Sequence, residues 1–319
     1  MTIQSNILHA SRLDGVNSKK FTNFLRMDKN ERIDNYSNKV LNDFKKNIKS
    51  VDITNYPNEQ DLTKNLSKFL KVKKNQILIT PGSDAGIKYI FETFIKSKSK
   101  IASLTPTYAM FEFYSQLYKC KCLKISYDQN FKIDFDDIKK TINSKIKLIY
   151  LANPNQPSGT SIDDNHIKKI LNLSKKKNLL VVIDEAYIDF SSKNSLIKYI
   201  NNYKNLFIMR TFSKGFGSAG LRVGYIVSNA VNIKEVNKVR PLYNINSIGL
   251  KFCSFLLKKK SLIKKNTLDV KYSKSLLYKY CKKKNLNYLA SDTNFVNIFF
   301  TENECIKILN YLKNKKNIS

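Results

Sequence analysis

The sequence predicts an α/β fold, a mostly parallel sheet with helices on both faces, joined to a smaller α+β domain. Three observations predict it. Between about residues 56 and 228, short apolar runs alternate with amphipathic stretches, which is the pattern of βα units. After Ser247 the pattern changes to a long helical stretch, one more apolar run and a final amphipathic segment. With 319 residues, 42% of them hydrophobic, the chain can bury one large core, and its length suggests one to two domains.

The expected strands are Gln76 to Thr80, Lys100 to Leu104, Cys122 to Ser126, Lys145 to Ala152, Leu179 to Asp184, Leu206 to Arg210 and Leu221 to Val227. Helices are expected between most of them, at Asp84 to Lys96, Tyr108 to Tyr118, Phe135 to Thr141 and Asp163 to Lys177, where apolar residues recur every three or four positions. The last two strands are too close in sequence for a helical crossover, so they should lie antiparallel or bracket a tight loop. From Ser247 to Lys284 the chain reads as one long or broken helix, followed by a strand from Asn294 to Phe300 and a helix from Glu302 to Lys313. The expected division is an arm and part of the small domain in residues 1–50, a large domain in 51–245 and the rest of the small domain in 246–319.

Composition narrows the function. The N-terminus lacks the charged start and apolar run of a signal peptide, and no apolar stretch approaches the roughly 20 residues of a membrane span, so a cytoplasmic protein without a membrane partner is expected. Lysine and arginine number 57 against 25 acidic residues, a net charge of +32, which would suit a nucleic-acid partner. Yet 51 of those 57 are lysines spread along the whole chain, with no helix-turn-helix or zinc-finger signature, so the charge reads as a compositional bias and no nucleic-acid role is expected. The five cysteines are too scattered for a disulfide framework, and Cys120-x-Cys122 has no second pair to complete a zinc site. Two isolated histidines, His9 and His166, leave no HExxH helix and little basis for a Ser-His-Asp triad.

Gly215-Phe216-Gly217-Ser218-Ala219-Gly220 matches the dinucleotide fingerprint G-x-G-x-x-G, but that loop must open a helix, and Leu221 to Val227 reads as a strand. What remains is Thr211-Phe212-Ser213-Lys214, the Gly-rich backbone after it, and Arg222. Together they resemble the Schiff-base segment of fold-type I pyridoxal-phosphate (PLP) enzymes. The resemblance implies that Lys214 carries the cofactor and that the Thr211 and Ser213 hydroxyls and the Arg222 fork converge on its phosphate. Asn153-Pro154-Asn155-Gln156-Pro157-Ser158-Gly159 and Asp184-Glu185-Ala186-Tyr187 both follow strands, where open α/β sheets place ligands. By resemblance Asp184 pairs with the pyridine nitrogen, while Asn153 and Tyr187 bond the ring oxygen. Thr80-Pro81-Gly82-Ser83-Asp84 joins a strand to a helix, so the amides of Ser83, Asp84 and Ala85 sit where a phosphate is favoured. Tyr108 matches the ring that stacks on the cofactor. Tyr56, in Asn55-Tyr56-Pro57, resembles a tyrosine that reaches the phosphate from a neighbouring subunit, which implies a homodimer.

Taken singly, each feature has a plainer reading: Gly82-Ser83-Asp84 as a helix cap, Asn153-Pro154 as a turn, Tyr108 and Tyr187 as packing residues. Their joint order along successive strands is far more specific. The run from Tyr56 to Val227, with Arg26-Met27-Asp28-Lys29-Asn30-Glu31 ahead of it, is most similar to the histidinol-phosphate aminotransferase group of the class I/II aminotransferases. That resemblance implies transfer of an amino group between an amino acid such as glutamate and a small, phosphorylated keto substrate. Decarboxylation of a phosphorylated amino acid on the same scaffold and an inactive PLP-binding fragment are the alternatives, with a basic nucleic-acid-binding protein outside this class. After Thr293-Asn294-Phe295-Val296 the family pattern continues with strands, one bearing an arginine for the substrate carboxylate, and no arginine follows Arg240 here. A truncated sequence, a degenerate protein and a variant without that clamp are the competing expectations, the first two favoured together because Asn294 to Phe300 would otherwise lack strand partners.

Overall fold

A computed structural model describes residues 25–315 of the chain. The first 24 residues of the expected N-terminal arm lie outside the described residues. Three short helices come first: α1 (Asn38–Lys45), α2 (Val51–Thr54) and α3 (Gln60–Leu70). The α/β alternation follows as β1 (Ile77–Thr80), α4 (Gly82–Phe94), β2 (Lys100–Thr105), α5 (Ala109–Leu117), β3 (Lys121–Ser126), α6 (Phe135–Asn143), β4 (Leu148–Ala152), α7 (Asp164–Lys176), β5 (Leu180–Asp184), β6 (Leu206–Thr211), β7 (Gly224–Ser228) and α8 (Ala230–Val236). Then come α9 (Ser247–Lys258), α10 (Lys260–Lys283), β8 (Tyr288–Leu289), β9 (Asn297–Ile298) and α11 (Glu302–Lys315).

The seven strands form one sheet in the order β1-β7-β6-β5-β4-β2-β3. All pairings are parallel except those of β7, which runs antiparallel to both β6 and β1. The antiparallel turn expected from the short spacing before β7 is present. The strand itself begins at Gly224 rather than Leu221, because Ala219–Leu221 forms a single 3-10 turn and Arg222 sits in the left-handed region at φ 53°. A strand, not a helix, therefore follows the Gly-rich loop, which removes the dinucleotide reading.

Alternation across the pleat explains why the central strands read as continuous apolar runs. Ile149 and Leu151 of β4, Val181 and Ile183 of β5, and Leu206 and Ile208 of β6 face one apolar layer. Leu148 and Tyr150, Val182, and Phe207 and Met209 face the other. The first layer is continuous with Phe44 of α1, Leu62 and Leu66 of α3, and Leu250, Phe252 and Leu256 of α9. Phe44 meets Phe252 edge to face at 4.7 Å. The long helical stretch is broken at Lys259, which has φ −107° and ψ 54°. The expected strand from Asn294 to Phe300 shrinks to Asn297–Ile298, and its partner is Tyr288–Leu289, immediately upstream. The front of that run is held by side chains instead of a ladder: Thr293 Oγ1 bonds both ends of the Phe295 peptide unit, and Asn294 Nδ2 donates to Asn30 O at 3.0 Å. Among the described residues no helix is long and apolar enough to cross a membrane.

Because β1, β2, β4, β5 and β6 all point the same way, their carboxyl ends share one edge of the sheet, and β7 begins there. That edge carries the site.

Candidate active site

A cavity of about 470 Å³ opens at the carboxyl edge. Nine of the expected residues line it: Ser83, Asp84, Tyr108, Asp184, Tyr187, Thr211, Ser213, Lys214 and Arg222.

Lys214 follows the end of β6. Its Nζ donates to the carbonyls of Lys29 at 2.7 Å and Asn30 at 3.1 Å, and lies 5.4 Å from the centre of the Tyr187 ring. Burial pushes its pKa down to about 8; Glu31 opposes the shift and the Arg222 charge adds to it. The backbone behind it is fixed, since Asn266 of α10 donates to Gly215 O at 2.8 Å.

Asp184 ends β5 with only 3% of its surface exposed. The register pairs Tyr150 with Val182 and Ala152 with Asp184, so Tyr150 and Asp184 are diagonal neighbours on one face. The Tyr150 hydroxyl accordingly donates to Asp184 Oδ2 at 2.9 Å, and the Ala186 amide donates to Oδ1 at 3.0 Å. Burial outweighs both bonds and pushes the Asp184 carboxyl up to about 6. Among the described residues, none of the ion pairs includes it.

The third group is an anion cradle. α4 starts directly after β1, and its N-cap, Pro81, makes no side-chain cap, so Ser83 and Asp84 do not cap the helix in the ordinary way. Gly82 holds φ +81°, and a Cβ there would meet Arg222 Nη2 at 2.6 Å. A Cβ at Gly224 would meet the Gly82 carbonyl carbon at 2.5 Å and the Ser83 amide at 2.7 Å, so only glycine lets β7 run this close to the helix start. Arg222 Nη2 donates to Asp84 Oδ1 at 3.0 Å with 53% of the arginine side chain exposed. Thr211 Oγ1 donates to Ser213 Oγ at 3.0 Å beside it.

Tyr187 accepts from Asn30 Nδ2 and donates to Gln156 Oε1, both at 3.3 Å, and burial pushes its hydroxyl up to about 12. Tyr108 is half-buried on the cavity wall, and burial raises its hydroxyl too.

Three expected residues stand off the cavity. Ala85 packs against the second apolar layer from the first turn of α4. Asn153 is buried, with Oδ1 accepting from the Ile162 amide at 2.9 Å. Tyr56 is 76% exposed and stacks on Tyr243 at 4.2 Å. Sequence reasoning assigned no role to Tyr150, to Gln156, or to Arg26, Asp28, Lys29 and Glu31, although the last five line the cavity. The one available signal was the resemblance of the 26–31 segment itself.

Comparison with known proteins gives the family. Residues 22–318 match the family described as aminotransferase class I and II. The chain is similar to the histidinol-phosphate aminotransferase of Buchnera aphidicola subsp. Cinara cedri, 39% identical over 258 residues that cover 79% of this chain and 72% of that protein. Its fold resembles the crystal structure of the histidinol-phosphate aminotransferase from Clostridium acetobutylicum, with TM-score 0.82 and 25% identity over 92% of this chain and 88% of that one. It also resembles that of the Sinorhizobium meliloti enzyme in complex with pyridoxal-5'-phosphate, with TM-score 0.84 and 23% identity over 92% of this chain and 81% of that one. With nearly all of its described length matched, the chain belongs to the aminotransferase class I and II family.

Proposed function

We propose that the chain is a PLP-dependent aminotransferase that moves an amino group between an amino acid such as glutamate and a small phosphorylated keto substrate. The observation that carries this reading is the meeting, in one cavity, of Lys214 with its lowered proton affinity, buried Asp184 with no cationic partner among the described residues, and an uncapped helix start beside Arg222. PLP needs those three things: an amine for its aldehyde, a carboxylate for its ring nitrogen and a cradle for its phosphate.

When bound, PLP supplies an aldehyde that takes up amines reversibly and a conjugated ring that spreads the electron pair left at a deprotonated carbon. The protein's part follows from its own groups. The helix start at Ser83 and Asp84, the Ser213 and Thr211 hydroxyls and the Arg222 fork would bind the phosphate, with Asp84 orienting the guanidinium and Ala85 packed behind them. Asp184 would hold a proton on the ring nitrogen, because a cation beside it would relieve the cost of a buried carboxylate. Of the two expected donors to the ring oxygen, Tyr187 lines the cavity and would bond it through its hydroxyl, whereas Asn153 stands off the cavity behind the Ile162 amide; Tyr108 would stack on the ring. Lys214 would hold the cofactor through its amine, and in its neutral form, beside Tyr187, it would serve as the general base for the proton at the substrate Cα.

The lysine's lowered pKa makes cofactor loading pH-dependent. Only the neutral amine attacks an aldehyde, and with a pKa of about 8 roughly one molecule in ten is neutral at pH 7 and half at pH 8. The rate of PLP incorporation into the cofactor-free chain should therefore rise about fivefold from pH 7 to 8 and level off above 9. A tenfold rise per unit continuing beyond pH 9, as for an unshifted lysine, would contradict the assignment.

We also infer a homodimer in which Tyr56 reaches the partner's phosphate. Supporting this, Tyr56 stands away from its own chain's cavity, and Ile53, Leu242 and Tyr243 expose 75%, 74% and 51% of their surfaces around it. Tyr56→Phe should weaken PLP binding about tenfold to a hundredfold, the worth of one hydrogen bond to a charged group, in a protein that sediments as a dimer. A monomer with unchanged PLP affinity in this variant would sink the idea.

Activity is tested by a half-reaction: the PLP-loaded chain given glutamate alone should release one equivalent of 2-oxoglutarate per site. Carbon dioxide release from an amino acid without any keto acceptor would favour decarboxylation instead.

A further inference from the structure

Arginine is placed selectively in this chain, at six positions against 51 lysines. Arg12 lies outside the described residues. Arg32, Arg210 and Arg240 form ion pairs with Asp34, Asp189 and Glu59, and their side chains are only 11%, 7% and 14% exposed. Arg26 and Arg222 differ, because both line the cavity with side chains 50% and 53% exposed. The phosphate accounts for Arg222. Nothing so far accounts for Arg26.

Arg26 belongs to a segment that faces the reacting amine. The carbonyls of Lys29 and Asn30 accept from Lys214 Nζ at 2.7 and 3.1 Å, and Asn30 Nδ2 donates to the Tyr187 hydroxyl at 3.3 Å. Arg26 Nη2 is paired with Glu31 Oε2 at 3.2 Å, and the glutamate is 32% exposed. A pair this open is screened by water and contributes little, so an incoming carboxylate can displace Glu31. Lys29, the other cation of the segment, pairs with Asp28 at 3.4 Å and offers a point charge where Arg26 offers a planar two-pronged fork. Lys214 and Arg222, the remaining cations on the wall, have tasks already.

We propose that Arg26 grips a carboxylate of the substrate, exchanging Glu31 for it. This rests on the aminotransferase reading, whose amino and keto acid substrates carry such a group.

The test uses the PLP-loaded chain and glutarate, a five-carbon dicarboxylate with no amino group to transfer, with binding measured by calorimetry. Arg26→Ala should weaken glutarate at least about tenfold, Arg26→Lys should fall between because it lacks the fork, and Glu31→Gln should tighten it by removing the competitor. PLP content should be unchanged in all three. Unchanged glutarate affinity in Arg26→Ala, or no glutarate binding by the unaltered chain, overturns the proposal. Weakened methyl phosphate binding with glutarate unaffected also overturns it, and assigns Arg26 to a phosphate. A chain that binds glutarate through Arg26 yet fails the glutamate half-reaction supports the clamp while refuting the aminotransferase reading.

Discussion

Lys214→Ala should lose covalently held PLP and at least about 10²–10⁴-fold in turnover, the range that a positioned general base contributes. The position cannot be filled by another of the chain's many lysines, because what distinguishes Lys214 is its surroundings. Its Nζ sits in the cavity near the Tyr187 ring, and desolvation brings its pKa to about 8, where the neutral amine is accessible. Lys214→Arg is the sharper variant. It keeps the charge and much of the volume but cannot be deprotonated, so it should retain the fold and lose both attachment and proton transfer. Turnover with glutamate and PLP retained after gel filtration check this. Turnover within tenfold of the unaltered chain in either variant would remove Lys214 from the mechanism.

Asp184→Asn should separate stability from function. In the folded, cofactor-free chain the Asp184 carboxyl titrates near 6 instead of near 4, so the fold favours its neutral form. A raised acid pKa costs folding stability: nothing below about pH 4, a growing amount up to pH 6, and a constant amount above, on the order of 2–3 kcal/mol at pH 7. Asparagine removes that cost while keeping Oδ1 for the Ala186 amide and turning Nδ2 toward the Tyr150 oxygen, which can accept. The cofactor-free variant should therefore melt higher than the unaltered chain at pH 7, with the gain vanishing below about pH 4. Its turnover should fall by about two to three orders of magnitude, the scale of losing one preorganised electrostatic partner. A variant that melts lower at pH 7 and turns over normally would contradict both parts.

The large-domain strands were legible because burial on both faces makes them continuous apolar runs, as in Leu180–Asp184 and Leu206–Thr211. Strand ends were readable to within three residues for the same reason. The Asn294 to Phe300 run misled, since its alternation is real but the Phe295 backbone is taken up by Thr293 Oγ1, and the Asn294 side chain donates to Asn30 O, far away in sequence. The missing strand partner assumed there turned out to be Tyr288–Leu289, two residues too short to announce itself. In the site, residues fixed by a strand end, such as Asp184, Thr211, Ser213 and Lys214, reach the cavity as the motifs suggest. Tyr150 was invisible because its contact with Asp184 depends on interstrand register. The cavity wall built by Arg26, Asp28, Lys29 and Glu31 depends on a contact across more than 180 residues, between Lys214 and Lys29, which no local pattern encodes.

The central claim, that Lys214 is the residue that bonds PLP, is tested most directly by borohydride reduction of the PLP-loaded protein followed by proteolysis and mass mapping of the label. The account predicts one phosphopyridoxyl group per chain, on Lys214 in the peptide containing Thr211-Phe212-Ser213. A stoichiometric label on any other lysine, or a loaded protein that takes up none, would contradict it.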